Sequence, residues 1–100
     1  MIDLAPEQLA EVRKILSETV PEYRAVAYGS RVRGTNRRFS DLDLAVEGKE
    51  PLAADRLEVL RDRLSASDLP VLVDVVDLAK VSETFRRRIE EGGEEIQVGR

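Results

Sequence analysis

The sequence predicts an α+β (α/β layered) fold in which helices pack on a small mixed β-sheet. Apolar residues recur at three- and four-residue spacing in segments 6–19, 51–65 and 82–91, which is typical of helices with one buried face. Shorter segments rich in strand-forming residues lie between these helices. Because a chain of 100 residues buries a single core, we expect one domain spanning 1–100.

The first half of the chain predicts a helix, a strand, a loop and a second strand. A proline ends the helix of 6–19, and the apolar segment 23–28 then predicts a largely buried strand. Residues 29–39 are rich in Gly and Arg and must turn the chain, and a short helix could start at Ser30 before Gly34 breaks it. Segment 40–47 alternates polar and apolar side chains, which predicts a strand with two aspartates on one face.

The second half predicts the remaining helices and strands. After the helix of 51–65, the β-branched run VLVDVVD at 71–77 is the strongest strand signal in the chain and predicts a buried strand. Segment 82–91 predicts a helix that ends at two glycines and turns Phe85 inward. Residues 95–98 predict a small edge strand.

The composition excludes several kinds of chemistry. The chain has no Cys and no His, which excludes disulfides, thiolate and imidazole metal sites and the Ser-His-Asp triad. Catalysis must therefore use carboxylates, hydroxyls, Arg, Lys and hard metal ions. The net charge of −4 disfavours direct nucleic-acid binding. The chain also shows neither a long apolar segment nor a leader-like N-terminus, so we expect a cytoplasmic location away from the membrane.

Arginines are concentrated in two places. The predicted loop after the first strand contains Arg31, Arg33, Arg37 and Arg38. The predicted last helix contains Arg86, Arg87 and Arg88. Arginine suits bidentate phosphate recognition, but it also solvates ordinary helix surfaces, and for the second group we favour that simpler interpretation.

Asp41 and Asp43 lie two residues apart on a predicted strand whose other face is apolar. At strand periodicity both side chains point the same way, roughly 7 Å apart, so their charges repel unless a cation lies between them. Mg²⁺ suits this arrangement because it prefers carboxylate oxygen and is often completed by substrate phosphates. Taken alone, the same pair is better explained as the solvated face of an edge strand.

Asp74 interrupts a strand that otherwise predicts core, and a carboxylate in a core needs a partner or a metal. If the sheet brings Asp74 beside Asp41 and Asp43, three carboxylates are able to hold two metal ions, as in phosphoryl and nucleotidyl transfer. The alternative is a buried polar group with its hydrogen bonds satisfied. Asp77 falls on the opposite face by alternation, and we interpret it as a structural cap at the strand end.

Gly29 and Ser30 follow a predicted buried strand. Glycine lets the backbone approach a ligand closely, and serine offers an N–H and a hydroxyl to a phosphate oxygen. If a helix starts at Ser30, its N-terminal dipole adds to this anion site. A Gly-Ser pair after a strand is by itself usually only a turn.

Together these features form a recognisable signature in AVAYGSRVRGTNRRFSDLDLAV, residues 25–46. An apolar strand leads to Gly-Ser, a spacer of ten residues covers 31–40, and Asp-x-Asp follows on the next strand. This GSx10DxD pattern resembles the polymerase β-type nucleotidyltransferase superfamily. Within it, the chain is most similar to the minimal nucleotidyltransferases (MNT or MntA antitoxins), which are encoded beside HEPN-domain toxins. The resemblance implies the nucleotidyltransferase fold.

The resemblance also implies roles for individual residues. Gly29 and Ser30 would hold the β- and γ-phosphates of ATP. Asp41 and Asp43 would ligate both of two Mg²⁺ ions, and Asp74 would complete the second metal site and help activate the acceptor hydroxyl. These three aspartates are thus the expected catalytic and metal-binding residues.

Arg31 and Arg33 are further candidates for nucleotide binding, since one of them would clamp phosphate. The function implied is transfer of AMP from ATP to a tyrosine of a HEPN ribonuclease toxin, which silences the toxin. A small chain without an acceptor-binding domain suits a protein acceptor, because docking supplies the orientation. Two alternatives stay open: an antitoxin that acts by binding alone, and an aminoglycoside-type small-molecule nucleotidyltransferase.

Overall fold

The structure is a computed structural model that describes residues 4–29 and 41–99. Its elements in chain order are α1 (Pro6–Thr19), β1 (Arg24–Tyr28), β2 (Leu42–Glu47), α2 (Ala54–Ser65), β3 (Val73–Asp77), α3 (Glu83–Gly92) and β4 (Glu94–Gln97). The predicted α+β class is confirmed. Every helix in the described part of the chain is too short or too polar to span a membrane.

The four strands form one mixed sheet in the order β3-β2-β1-β4. The pairs β1–β2 and β1–β4 are antiparallel, whereas β2 and β3 are parallel and are connected through α2. A parallel pair requires such a crossover, because its connection must return to the starting end of the sheet. β1 and β2 are therefore the central strands, and β3 and β4 are the edges.

Helices cover both faces of the sheet, and strand alternation sends side chains to each. On one face, Leu44 of β2 shares a buried cluster with Leu16 of α1 and Leu60 of α2. On the other face, Ala45 shares a smaller cluster with Ile89 of α3. The face under α3 is the one toward which Asp43 points, since it lies two residues before Ala45.

The predicted helix 51–65 begins later than expected, at Ala54. Leu52 is 1% exposed, and its backbone N–H donates to Asp77 Oδ2 at 2.7 Å. This contact holds the chain against the end of β3 before the helix can start, which a helical apolar pattern does not reveal.

β3 differs most from its prediction. The run at 71–77 was expected to be a buried strand, but the strand starts at Val73, and Leu72 before it is 73% exposed. β3 is an edge strand, and α3 packs over β1 rather than over β3. Asp74 is consequently exposed, so the expectation that it lies in the core is wrong.

α3 begins and ends close to its predicted bounds. Ser82 Oγ accepts a hydrogen bond from the Phe85 N–H at 3.2 Å, which caps the helix, and Ile89 is buried as its spacing predicts. Phe85 is not fully inward, however, because it remains 37% exposed. Its ring packs edge-on against Tyr28, with ring centroids 5.8 Å apart. β4 follows as the predicted edge strand.

Candidate active site

Three polar side chains form a row across the sheet at one end. Tyr28 of β1 lies opposite Asp43 of β2, and Asp43 lies opposite Asp74 of β3. Strand alternation places all three on the face covered by α3, because Val26, Ala45 and Val76 of the same strands contribute to the cluster beneath that helix. The fold therefore brings Asp74 beside Asp43.

The carboxylates around Asp43 affect its pKa. Burial, followed by the charges of Asp74 and Asp41, raises the pKa of Asp43 above its ordinary value of 3.8. Asp41 is exposed and directly precedes β2. All three influences oppose ionisation of Asp43, so an ionised Asp43 is a site of unbalanced negative charge that a cation would stabilise.

The same negative charge acts on the Tyr28 hydroxyl. Burial, then the charges of Asp43 and Asp74, raise the pKa of the Tyr28 hydroxyl to about 12. The phenol thus keeps its proton at physiological pH, and it is suited to donating a hydrogen bond rather than to accepting a proton in a reaction.

Gly29 follows this row directly and is needed there for two reasons. Its φ is +85°, in the left-handed region that disfavours other residues. In addition, a Cβ at this position would collide with the carboxylate of Asp43. The backbone at the end of β1 therefore lies against Asp43. Of the other predicted nucleotide-binding residues, Ser30, Arg31 and Arg33 lie outside the described residues.

A cleft of about 630 Å³ opens between the end of β1 and α3. Its lining among the described residues consists of Tyr28, Gly29, Asp43, Phe85, Arg88, Ile89, Glu91 and Gly92. Sequence reasoning did not assign Phe85 or Arg88 to the site. Their three-residue spacing places them on one side of a helix, but only the packing of α3 over β1 shows that this side faces the carboxylates.

Two of the three α3 arginines agree with the interpretation as an ordinary helix surface. Arg86 forms an ion pair with Glu47 and reaches the Leu78 carbonyl oxygen at 3.5 Å. Arg87 Nε lies 3.6 Å from Glu83 Oε1, one turn earlier on the same helix. Arg88 departs from that interpretation, since it lines the cleft.

Asp77 has the structural role that alternation predicts. Its side chain is buried, with Oδ2 accepting from the Leu52 N–H at 2.7 Å and Oδ1 from the Ala79 N–H at 2.9 Å. The side chain thus ties the end of β3 to the residues before α2. It is not among the cleft-lining residues of the described chain.

The donor atoms at the carboxylate row fit a hard divalent cation. Asp41, Asp43 and Asp74 offer carboxylate oxygens, the ligands that Mg²⁺ prefers. Within residues 4–29 and 41–99, no three acidic side chains are arranged closely enough to enclose an ion as they stand. The fit rests on the chemistry of the donors and on the negative charge concentrated around Asp43.

Comparisons with known proteins agree with this geometry. A family model described as polymerase beta, nucleotidyltransferase matches residues 10–98. A Haemophilus influenzae protein described as "Probable protein adenylyltransferase MntA" is 46% identical over 88 residues, which cover 88% of this chain and 77% of that protein. A Shewanella oneidensis protein adenylyltransferase MntA is 34% identical over 97 residues, which cover 90% of this chain and 66% of that protein.

A solved structure is similar as well. A chain in a crystal structure of a toxin–antitoxin pair with AMP-PNP superimposes with a TM-score of 0.77 at 29% identity, covering 92% of this chain and 73% of that chain. The match extends over the sheet and the helices, not only over the motif. The protein is therefore a nucleotidyltransferase that belongs to the polymerase beta nucleotidyltransferase family and, within it, to the MntA protein adenylyltransferases.

Proposed function

We propose that this protein transfers AMP from ATP to a tyrosine of a HEPN ribonuclease toxin encoded beside it, and so acts as a type VII-like antitoxin. The observation that carries this proposal is the pairing of Asp43 with Asp74 beside the tight turn at Gly29. The relatives from Haemophilus and Shewanella are named as protein adenylyltransferases, and the similar solved structure is of a toxin–antitoxin pair with an ATP analogue.

Three aspartates would hold two Mg²⁺ ions in this proposal. Asp41 and Asp43 would ligate both ions, and Asp74, across from Asp43 in the register, would complete the second site. When bound, such ions neutralise phosphate charge and stabilise the attacking and leaving oxygens. Their positive charge would also oppose the burial and the neighbouring carboxylate charges that raise the pKa of Asp43.

The nucleotide would bind in the cleft between the end of β1 and α3. Gly29 brings the backbone close to Asp43, and Ser30 follows with the N–H and hydroxyl that would contact the β- and γ-phosphates. Arg31 or Arg33 would add a phosphate contact. The Tyr28 phenol keeps its proton and borders the same cleft as a hydrogen-bond donor.

The reaction would be a displacement at the α-phosphorus of ATP. The acceptor oxygen forms a bond to that phosphorus, the bond from the α-phosphorus to the bridging oxygen breaks, and pyrophosphate leaves. The acceptor hydroxyl gives its proton to Asp74, the most accessible carboxylate of the paired row. Asp74 lies on the edge strand, which leaves room for a macromolecular acceptor at that side of the sheet.

A docked protein acceptor suits a minimal transferase domain over residues 1–100, because docking supplies orientation that the transfer needs. The net charge of −4 argues against a nucleic-acid acceptor. The reaction would take place in the cytoplasm, where ATP and a ribonuclease toxin meet.

The experiment is to incubate the purified protein with ATP, Mg²⁺ and the product of the neighbouring gene, and to measure the intact mass and ribonuclease activity of that product. We expect a gain of one or more AMP units and loss of the ribonuclease activity. The Asp41→Ala/Asp43→Ala double variant should abolish both effects. Asp55→Ala, which removes an exposed aspartate in the first turn of α2, should leave both unchanged.

The same experiment separates the two alternatives. Toxin inhibition without a mass change, equally strong in the double variant, would support an antitoxin that acts by binding alone. Adenylylation of aminoglycosides in the absence of any partner protein would support the small-molecule enzyme. Either result would overturn the proposal of protein adenylylation.

A further inference from the structure

Three consecutive arginines on α3 have different surroundings. Arg86 is paired with Glu47, and Arg87 is paired with Glu83 along the helix surface. Arg88 instead lines the cleft that contains Gly29 and Asp43. Among the described residues, no ion pair or hydrogen bond engages the Arg88 guanidinium.

The charges that surround Arg88 explain why a free guanidinium is significant here. The cleft also contains the carboxylates of Asp43 and Glu91, and it reaches Gly92, the last residue of α3. The carbonyl end of a helix carries partial negative charge. An ATP triphosphate entering this cleft therefore meets negative charge from three sources, and among its described lining residues Arg88 is the cationic one.

Arginine is suited to binding a triphosphate in this cleft because its planar guanidinium binds phosphate oxygens in pairs. Arg88 extends from α3, whereas the turn at Gly29 extends from β1, so the two approach the cleft from different walls. We propose that Arg88 binds the phosphates of the nucleotide from the α3 wall. This inference rests on the proposed function, in which the nucleotide is ATP, and it assigns a nucleotide-binding residue outside the GSx10DxD signature.

The test is the dissociation constant of a non-hydrolysable ATP analogue with Mg²⁺, measured at fixed ionic strength for the wild type and for single variants. Hydrogen bonds to charged groups typically contribute enough for about tenfold weaker binding on removal, and we expect at least this loss for Arg88→Ala. Arg87→Ala is the matched control: it removes the same charge from the adjacent residue and should change the affinity by less than about twofold. Arg88→Lys should recover part of the loss, because it retains charge without the bidentate geometry.

Shorter ligands distinguish a phosphate contact from a structural effect. Arg88→Ala should weaken ATP-analogue binding much more than adenosine binding, and its melting temperature should match that of Arg87→Ala. Equal affinity of Arg88→Ala and wild type would overturn the inference, as would equal losses in the two alanine variants or an equal loss for adenosine. Failure of the wild type to bind the analogue would instead count against the proposed function.

Discussion

Two aspartates on β3, Asp74 and Asp77, lie three residues apart and differ in burial and in role. Asp77 is 4% exposed and accepts backbone hydrogen bonds from Leu52 and Ala79. Asp74 is exposed on the other face, directly across from Asp43. The buried carboxylate is the structural one, and the exposed carboxylate belongs to the candidate site.

On this strand, the buried carboxylate is not the one at the candidate site. A carboxylate within an apolar run invites the conclusion that it is buried and therefore special. Here, Asp74 matters because it lies next to Asp43, whose pKa is raised by burial and then by the charge of Asp74. Asp77 is buried because its two oxygens replace water for two backbone N–H groups.

The largest expected effect is on stability, from Asp77→Ala. Removing this side chain leaves the N–H groups of Leu52 and Ala79 without their partners, at a cost of roughly 1–3 kcal/mol each. We expect the free energy of unfolding, measured by urea denaturation, to fall by about 3 kcal/mol. A change below about 0.5 kcal/mol, the range of ordinary surface substitutions, would contradict the structural role.

Asp74→Asn should impair activity and not stability, the reverse of Asp77→Ala. AMP transfer should fall by about a hundredfold or more, since even outer-shell partners of metal ligands are often worth 10–100-fold. The melting temperature without metal should stay constant or rise slightly, because the change removes charge from an exposed position near Asp43. A melting temperature lower by several degrees would instead mean that Asp74 has a structural role.

Gly29→Ala should lower the free energy of unfolding by less than Asp77→Ala does. The left-handed backbone at φ +85° costs an alanine roughly 1–2 kcal/mol, and its Cβ would also collide with Asp43. In an Asp43→Ala background the collision is absent, so the same substitution should cost less there. Equal costs in the two backgrounds, measured by denaturation, would show that the contact between positions 29 and 43 is unimportant.

The smallest expected effect is the pH dependence of stability in the presence of a metal chelator. Because the pKa of Asp43 is raised in the folded state, folding favours its protonated form, and stability is lost as pH rises from 3.8 through the raised pKa. Asp43→Asn lacks this loss. Its melting temperature should therefore exceed that of the wild type near neutral pH, and the difference should shrink as pH falls toward 3.8. A difference that is independent of pH would exclude this cause.

Local patterns in the sequence predicted much of the fold. The spacing of apolar residues located α1 at 6–19, and strand alternation placed Asp74 and Asp77 on opposite faces. The edge position of β3 was not readable, because an apolar strand has the same pattern whether one or two neighbours pair with it. The late start of α2 depends on the bond from Leu52 to Asp77, a long-range contact without a local signal.

The candidate site was also predictable from the sequence only in part. The motif supplied Gly29, Asp41 and Asp43, and the register of β2 with β3 brings Asp74 to them. Arg88 could be assigned to the site only from the packing of α3 over β1, since the two residues before it in sequence are also arginines. Composition alone does not distinguish the environments of these three arginines.

Transfer of AMP to a partner protein is tested by following the two ends of the ATP triphosphate during the reaction. The protein, Mg²⁺ and the neighbouring gene product are incubated in parallel with ATP labelled at the α-phosphorus and with ATP labelled at the γ-phosphorus. We expect only the α-label to become bound to the partner protein and the γ-label to leave in pyrophosphate, and Asp74→Asn should slow both. Incorporation of the γ-label, or of neither label under conditions where the partner is inhibited, would contradict this expectation.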